Sequence, residues 1–130
     1  MRLLLDTHAL AWAIGAPERL SDKVRELLEA PGNTLLVSPV SVWEMSIKHR
    51  AGKWPEVAPF LDEQLYTKLL VQLGARECLI TSQHTRLAGQ FEQDHRDTFD
   101  RLLVAQAICE GMLLVSIDAV LDSFPVTRIW

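Results

Sequence analysis

The sequence is most informative first in what it lacks. It holds two cysteines, Cys78 and Cys109, too few for a disulfide scaffold and not spaced as a CxxC pair. Both read as small buried hydrophobes of a reducing compartment. The run Leu3-Leu4-Leu5 stops at Asp6, so no signal-peptide core develops. No later stretch approaches the roughly 18 apolar residues of a membrane span. A soluble, cytoplasmic protein without a membrane partner is expected. Repeats, low-complexity tracts and linkers are missing as well. Positive charge is also short: 13 Lys and Arg stand against 17 Asp and Glu, for a net charge of -4. Nucleic-acid binders usually carry a basic excess. For this chain to bind a polyanion, its basic residues must gather on one face, or a bound divalent cation must supply the charge.

What is present is an ordinary globular composition, 48% hydrophobic and 23% charged over 130 residues. That length suits one domain, residues 1–130, burying roughly two-thirds of its unfolded surface. Short apolar runs alternate with amphipathic stretches. Arg2 to Leu5 reads as a buried strand, followed by a helix over Thr7 to Ile14 that Gly15 and Pro17 close. Ser21 caps a helix to Glu29, with Val24, Leu27 and Leu28 at helical spacing. Thr34 to Val37 reads as a second strand. Ser38-Pro39 is an N-cap with proline in the first helical position, opening a helix to about Ala51. Pro59 is expected to open a helix to about Leu70, and Glu77 to Ile80 to form a strand. Thr81 or Ser82 caps a short helix to about Gln90. Asp97 caps a longer helix to Glu110, stopped by Gly111. Met112 to Ser116 and Val126 to Ile129 complete the strands. Alternating strands and helices imply right-handed crossovers, hence an α/β fold with a mostly parallel sheet between two helical layers. Ligands of such sheets bind beyond the strands' carboxyl ends.

Four of the acids adjoin core-like sequence. Asp6 follows Leu3-Leu4-Leu5, Asp118 follows Leu113 to Ile117, Asp100 precedes Arg101-Leu102-Leu103-Val104, and Glu44 lies in the largely apolar helix Val40 to Ile47. Near a core, a carboxylate costs several kcal/mol unless it is paired or metal-bound. Each has a plain structural use: Asp6 and Asp118 as N-caps, Asp100 in a capping arrangement with Asp97, Glu44 paired to Lys48 at i+4. Taken together, a parallel sheet brings the strand ends to one edge. A hard cation with oxygen ligands is the usual answer to clustered carboxylates. Mg²⁺ or Mn²⁺ fits better than Zn²⁺, because no Cys/His ligand set is present. His8, His49, His84 and His95 show no HExxH spacing, and no GxSxG elbow, P-loop or GxGxxG occurs. Trp12, Trp43, Trp54 and Trp130 read as core or interface residues.

Four segments, in order, resemble the motifs of PIN-domain nucleases: Leu4-Leu5-Asp6-Thr7-His8-Ala9-Leu10-Ala11-Trp12, Val40 to Lys48 with its helical Glu44, His95 to Ala107, and Leu114-Val115-Ser116-Ile117-Asp118. The short length and third motif are similar to VapC-type toxins of toxin–antitoxin pairs. The resemblance implies a PIN-like three-layer α/β/α fold and a Mg²⁺- or Mn²⁺-dependent endoribonuclease. It implies a homodimer, an RNA substrate and a cognate antitoxin that holds the enzyme inactive. It places both catalysis and metal binding on Asp6, Glu44, Asp100 and Asp118. Two positions depart from the family pattern: Thr98 replaces a usual proline, and Ile117 a usual polar or basic residue. Neither removes a carboxylate.

On this reading Asp6 and Asp100 ligate directly, Glu44 ligates or orients the attacking water, and Asp118 holds a second cation or metal-bound waters. Thr7 and Ser116 orient the carboxylates, and Lys48, Lys53 and Arg101 are candidates for phosphate contact or mere solubilisers. Two rivals stay open. One is a phosphatase or receiver-like domain using the aspartate after the first strand, although the haloacid-type version wants a second aspartate where His8 stands. The other is a non-catalytic binding module whose acids only cap and pair.

Overall fold

The computed structural model describes residues 1–130. Five strands, β1 (Arg2–Leu5), β2 (Thr34–Val37), β3 (Ala75–Glu77), β4 (Leu113–Val115) and β5 (Arg128–Ile129), form one sheet in the order β3-β2-β1-β4-β5. Every pairing is parallel. The helices are α1 (Thr7–Gly15), α2 (Asp22–Glu29), α3 (Pro39–Arg50), α4 (Glu63–Leu73), α5 (Ser82–Gln90) and α6 (Thr98–Glu110). None is long and apolar enough to cross a membrane.

The topology follows from crossover handedness. Strands β1, β2 and β3 advance in one direction, and the chain then returns across them to place β4 on the other side of β1. Right-handed crossovers in opposite directions put their helices on opposite faces. The burial pattern agrees. Leu3 and Leu5 point into one core with Leu35, Val37, Val115, Leu10, Val24, Met45 and Leu70. Leu4 points into the other with Leu36, Leu114, Leu103, Val104 and Ala107. Successive residues of a strand face opposite sides. An unbroken leucine run is therefore what a strand covered on both faces requires. This is the expected PIN-like α/β/α architecture, with the sheet parallel throughout.

Most caps sit where the residues place them. Ser21, Ser38, Thr81 and Asp97 accept from the first-turn N–H groups of α2, α3, α5 and α6. Gly111 ends α6 at φ +64°, a left-handed conformation that suits glycine. Two expectations are corrected. Pro59 does not open a helix; it lies inside a 3₁₀ segment, Pro55–Leu61. Helix α4 starts at Glu63, because Asp62 accepts from the Leu65 N–H at 2.8 Å. Strand β3 is Ala75–Glu77, not Glu77 to Ile80: only the Cys78 N–H continues the ladder, to the Val37 carbonyl at 2.7 Å.

Since Asp62 is the cap, Asp62→Ala should cost about 1 kcal/mol in denaturant unfolding, with Asp62→Asn near the parent. If Pro59 set the start of α4, Asp62→Ala would be silent.

Candidate active site

The carboxyl ends of β1 and β4 are adjacent, and the Asp6 N–H continues their ladder to the Val115 carbonyl at 3.0 Å. The Asp6 side chain turns back to cap α1, accepting from the Ala9 N–H at 2.8 Å. So the capping use of Asp6 is real, yet it occupies only one carboxylate oxygen. Asp6 is buried, and burial pushes its carboxyl up to about 6. Hydrogen bonds from the Ser116 hydroxyl and the Ala9 N–H pull the other way, while the negative charges of Asp100 and Glu44 add to the rise. No basic side chain pairs with Asp6.

Asp100 lies in the first turn of α6. Burial raises its carboxyl to about 6 as well; the hydrogen bond to His95 opposes this, and Asp97 and Glu44 reinforce it. Its Oδ2 lies 3.0 Å from His95 Nε2. Asp97 is a cap, its Oδ1 accepting from the Phe99 and Asp100 N–H groups at 2.9 and 3.1 Å. Glu44 is buried on α3 and pairs with Lys48 one turn on. One turn earlier Ser41 accepts a 3.0 Å hydrogen bond from the Thr7 hydroxyl, which ties α3 to α1. Thr7 thus fixes the helices that carry the acids rather than touching a carboxylate.

Asp6, Glu44 and Asp100 are therefore within electrostatic reach of one another. Asp118 stands on the same edge, but its carboxylate caps the 3₁₀ turn Ala119–Ser123 through the Val120 N–H at 3.0 Å. The Ser116 hydroxyl joins the two ends by accepting from the Asp118 N–H at 3.1 Å. With Glu44 turned to Lys48 and Asp100 to His95, no three ligating groups close around a point. The donor set still suits a hard cation. It is all carboxylate oxygen, buried Asp6 lacks a counter-charge, and the other two lean on cationic or imidazole partners that a stronger cation would displace.

The remaining sequence candidates fall into place. The Arg101 guanidinium does not face a phosphate position; it donates to the carbonyls of Ala88, Phe91, Gln93 and His95. That clamp shapes the 91–97 loop and holds His95 against Asp100. Sequence reasoning missed it, because carbonyl acceptors leave no residue signature. His8 stacks on Trp54 with ring centres 4.6 Å apart, so no carboxylate stands two residues beyond Asp6. Burial, with the positive charges of Lys48 and Arg19, holds His8 below the usual imidazole range. The tryptophans do not share one groove. Trp43 lines a cavity of about 480 Å³ with Val42, Phe60 and Tyr66, while Trp12 and Trp54 line another of about 360 Å³.

A three-layer α/β/α protein with carboxylates, two of them buried, gathered at the carboxyl edge of its sheet is the class that this geometry defines. The family model of the PIN domain matches residues 3–126, and the chain belongs to the PIN domain family. No curated protein is similar enough in sequence to match. Three solved structures share the fold. VapBC2 from Rickettsia felis, bound to a DNA fragment from its promoter, superimposes with a TM-score of 0.68 at 19% identity, covering 99% of this chain and 98% of that one. VapBC-1 from nontypeable Haemophilus influenzae gives 0.64 at 15% identity, covering 99% and 97%. VapC20 from Mycobacterium tuberculosis, a sarcin–ricin loop cleaving toxin, gives 0.62 at 12% identity, covering 98% of each.

Two predictions follow from the geometry. The folded Asp6 carboxyl binds its proton up to about pH 6, and its ordinary value is 3.8. The folded state thus holds more protons between those values, and stability falls as pH rises through them and stays lower above. Asp6→Asn keeps the cap and removes the charge. It should raise unfolding stability by roughly 1–3 kcal/mol near pH 7.5, with the gain vanishing near pH 4. A gain that persists unchanged at pH 4 would refute the desolvation account. Separately, Arg101→Met should speed amide hydrogen exchange across residues 91–97 while leaving the strands protected, since four carbonyls lose their donor.

Proposed function

We propose that this chain is a divalent-metal-dependent endoribonuclease and the toxin of a toxin–antitoxin pair. The carrying observation is Asp6: a buried carboxylate without a counter-charge, beside Glu44 and Asp100, at the edge where parallel sheets bind ligands. A purely structural aspartate cap gains nothing from two further acids at its side. PIN-domain membership and the likeness to VapC toxins, one of them a sarcin–ricin loop cleaving toxin, support hydrolysis of RNA. The likeness to VapBC complexes supports an antitoxin partner.

Asp6, Asp100 and Glu44 would hold Mg²⁺ or Mn²⁺, with Asp118 beside them for a second ion or for bound waters. When bound, the ion acidifies water and neutralises charge on the phosphate. The chain's own residues do the rest. The Ala9 N–H holds one oxygen of the Asp6 carboxylate, and the Ser116 hydroxyl favours its charged form. His95, steadied by the Arg101 clamp, fixes the Asp100 carboxylate. Glu44, where it does not ligate, would orient the attacking water and take its proton. Lys48, the present partner of Glu44, is the candidate for phosphate contact. A homodimer belongs to the same reading.

The antitoxin fits the Trp43 cavity between α3 and α4. Trp43 is 58% exposed there, and Glu63 and Glu77 line the same groove. That combination suits an amphipathic segment with basic flanks. An arginine from it, reaching the carboxylates through its planar fork, would compete with the metal.

Purified protein should bind Mn²⁺ by calorimetry and gain thermal stability from it, and Asp6→Asn should lose that gain. Asp100→Asn should abolish RNA cleavage without loss of fold, while Asp97→Asn, which still caps, should keep most of it. The wild-type chain expressed alone should arrest bacterial growth. Folded protein that binds no divalent ion, or an Asp97→Asn more damaging than Asp100→Asn, would overturn the assignment.

A further inference from the structure

The cavity of about 360 Å³ is built differently from the rest of the surface. Trp12 and Trp54 both line it, and His8 bridges them, stacked on Trp54 and tilted against Trp12 at 5.4 Å. A cation lies over each indole: the Arg19 guanidinium 4.5 Å from the Trp12 ring centre, and Lys48 Nζ 5.6 Å from that of Trp54. The only other cation over a ring is Arg101 on Phe91, whose guanidinium is already spent on main-chain carbonyls. None of Asp6, Glu44 and Asp100 lines the cavity; the link to them runs through His8 and Lys48. His8 is two residues from Asp6 on α1, and Lys48 is the partner of Glu44.

We propose that this cavity is a nucleobase subsite, taking an unstacked base of single-stranded RNA next to the scissile phosphate. The inference rests on the ribonuclease reading above. Every nucleobase offers a π-face for an indole, and base–aromatic stacking tolerates any sequence; on Trp54 the base would take the place that His8 or Lys48 now holds. Arg19 and Glu56 line the same cavity and bring a donor set and an acceptor. A base edge presents both acceptors and donors, so the pair can read it. A phosphate alone would be repelled by Glu56 and needs no indole. An apolar peptide side chain would leave Arg19 and Glu56 unmatched, which is why the antitoxin is placed at the Trp43 groove and RNA here. Cations over the indoles also offset the acidity that keeps RNA away from the rest of the protein.

The test uses the full-length Asp100→Asn chain, which binds without cutting, and fluorescein-labelled oligouridylates carrying one guanosine, adenosine, cytidine or abasic ribose in the middle. Fluorescence anisotropy should show the abasic strand binding roughly tenfold or more weakly than the strand with a base. Adding Trp54→Leu should erase that penalty to within about twofold, because the base has lost its platform. Adding Arg19→Ala, an exposed position that leaves the fold intact by circular dichroism, should flatten the ranking among the bases. An abasic penalty that is equal in the Trp54→Leu and parent backgrounds overturns the subsite. So does an unchanged base ranking in Arg19→Ala, which decides the matter even if Trp54→Leu misfolds. If both variants bind every strand as the parent does, the cavity takes no base and the proposal falls. If neither the parent nor the wild type binds any strand, the ribonuclease reading itself falls, and the subsite with it.

Discussion

The desolvation of Asp6 is the constraint on which the site depends. The residue is the last rung of the central strand and the cap of the first helix at once, so the fold gives it no way to swing out into water. In a solvated position its charge would cost nothing, and the neighbouring acids would be unremarkable. Buried, it makes its own ionisation unfavourable, and Asp100 and Glu44 make it more so. Glu44 has an ammonium and Asp100 an imidazole beside it, yet the Asp100 carboxyl stays raised to about 6, as Asp6 does without any partner. Two neighbouring carboxyls held above their ordinary range mark where added positive charge would gain most.

Much of this was legible in the chain. A strand buried on both faces must read as an unbroken apolar run, and Leu3-Leu4-Leu5 does. A carboxylate directly after it must then sit at the strand's carboxyl end. Ser38-Pro39 and Asp97 announced their helices because capping chemistry is local. What failed was chemistry that competes locally. Pro59 opens helices well, but it also sits comfortably in a 3₁₀ turn, and the Asp62 carboxylate three residues later captured the start of α4. Strand β3 was misplaced because Ala75-Arg76-Glu77 is a mostly exposed edge strand with no apolar period, while the apolar Cys78-Leu79-Ile80 beside it mimics one. The three-way approach of Asp6, Glu44 and Asp100 followed from topology. The turned-away side chains of Glu44 and Asp100 did not, since rotamers answer to neighbours that no motif records.

The two tryptophan cavities illustrate how charge sorts surfaces that hydropathy cannot. Both are aromatic, and Phe60 lines each from a different side. Around Trp43 the charged lining residues are Glu63 and Glu77; the other cavity is lined by Arg19 and Glu56, charges of both signs, with Lys48 over the Trp54 ring. The first favours cations alone, whereas the second can match a group that carries both donors and acceptors.

The Arg101 clamp bears on how such a chain can change. The 91–97 loop takes its shape from one guanidinium gripping main-chain carbonyls, and those carbonyls are present whatever side chains the loop carries. Its geometry is thus uncoupled from its composition. Substitutions at Glu92, Asp94 or Arg96 alter the charge and texture of the rim without moving the carboxylate behind it. A molecule built this way is free to diversify what surrounds its chemistry while the chemistry stays in register.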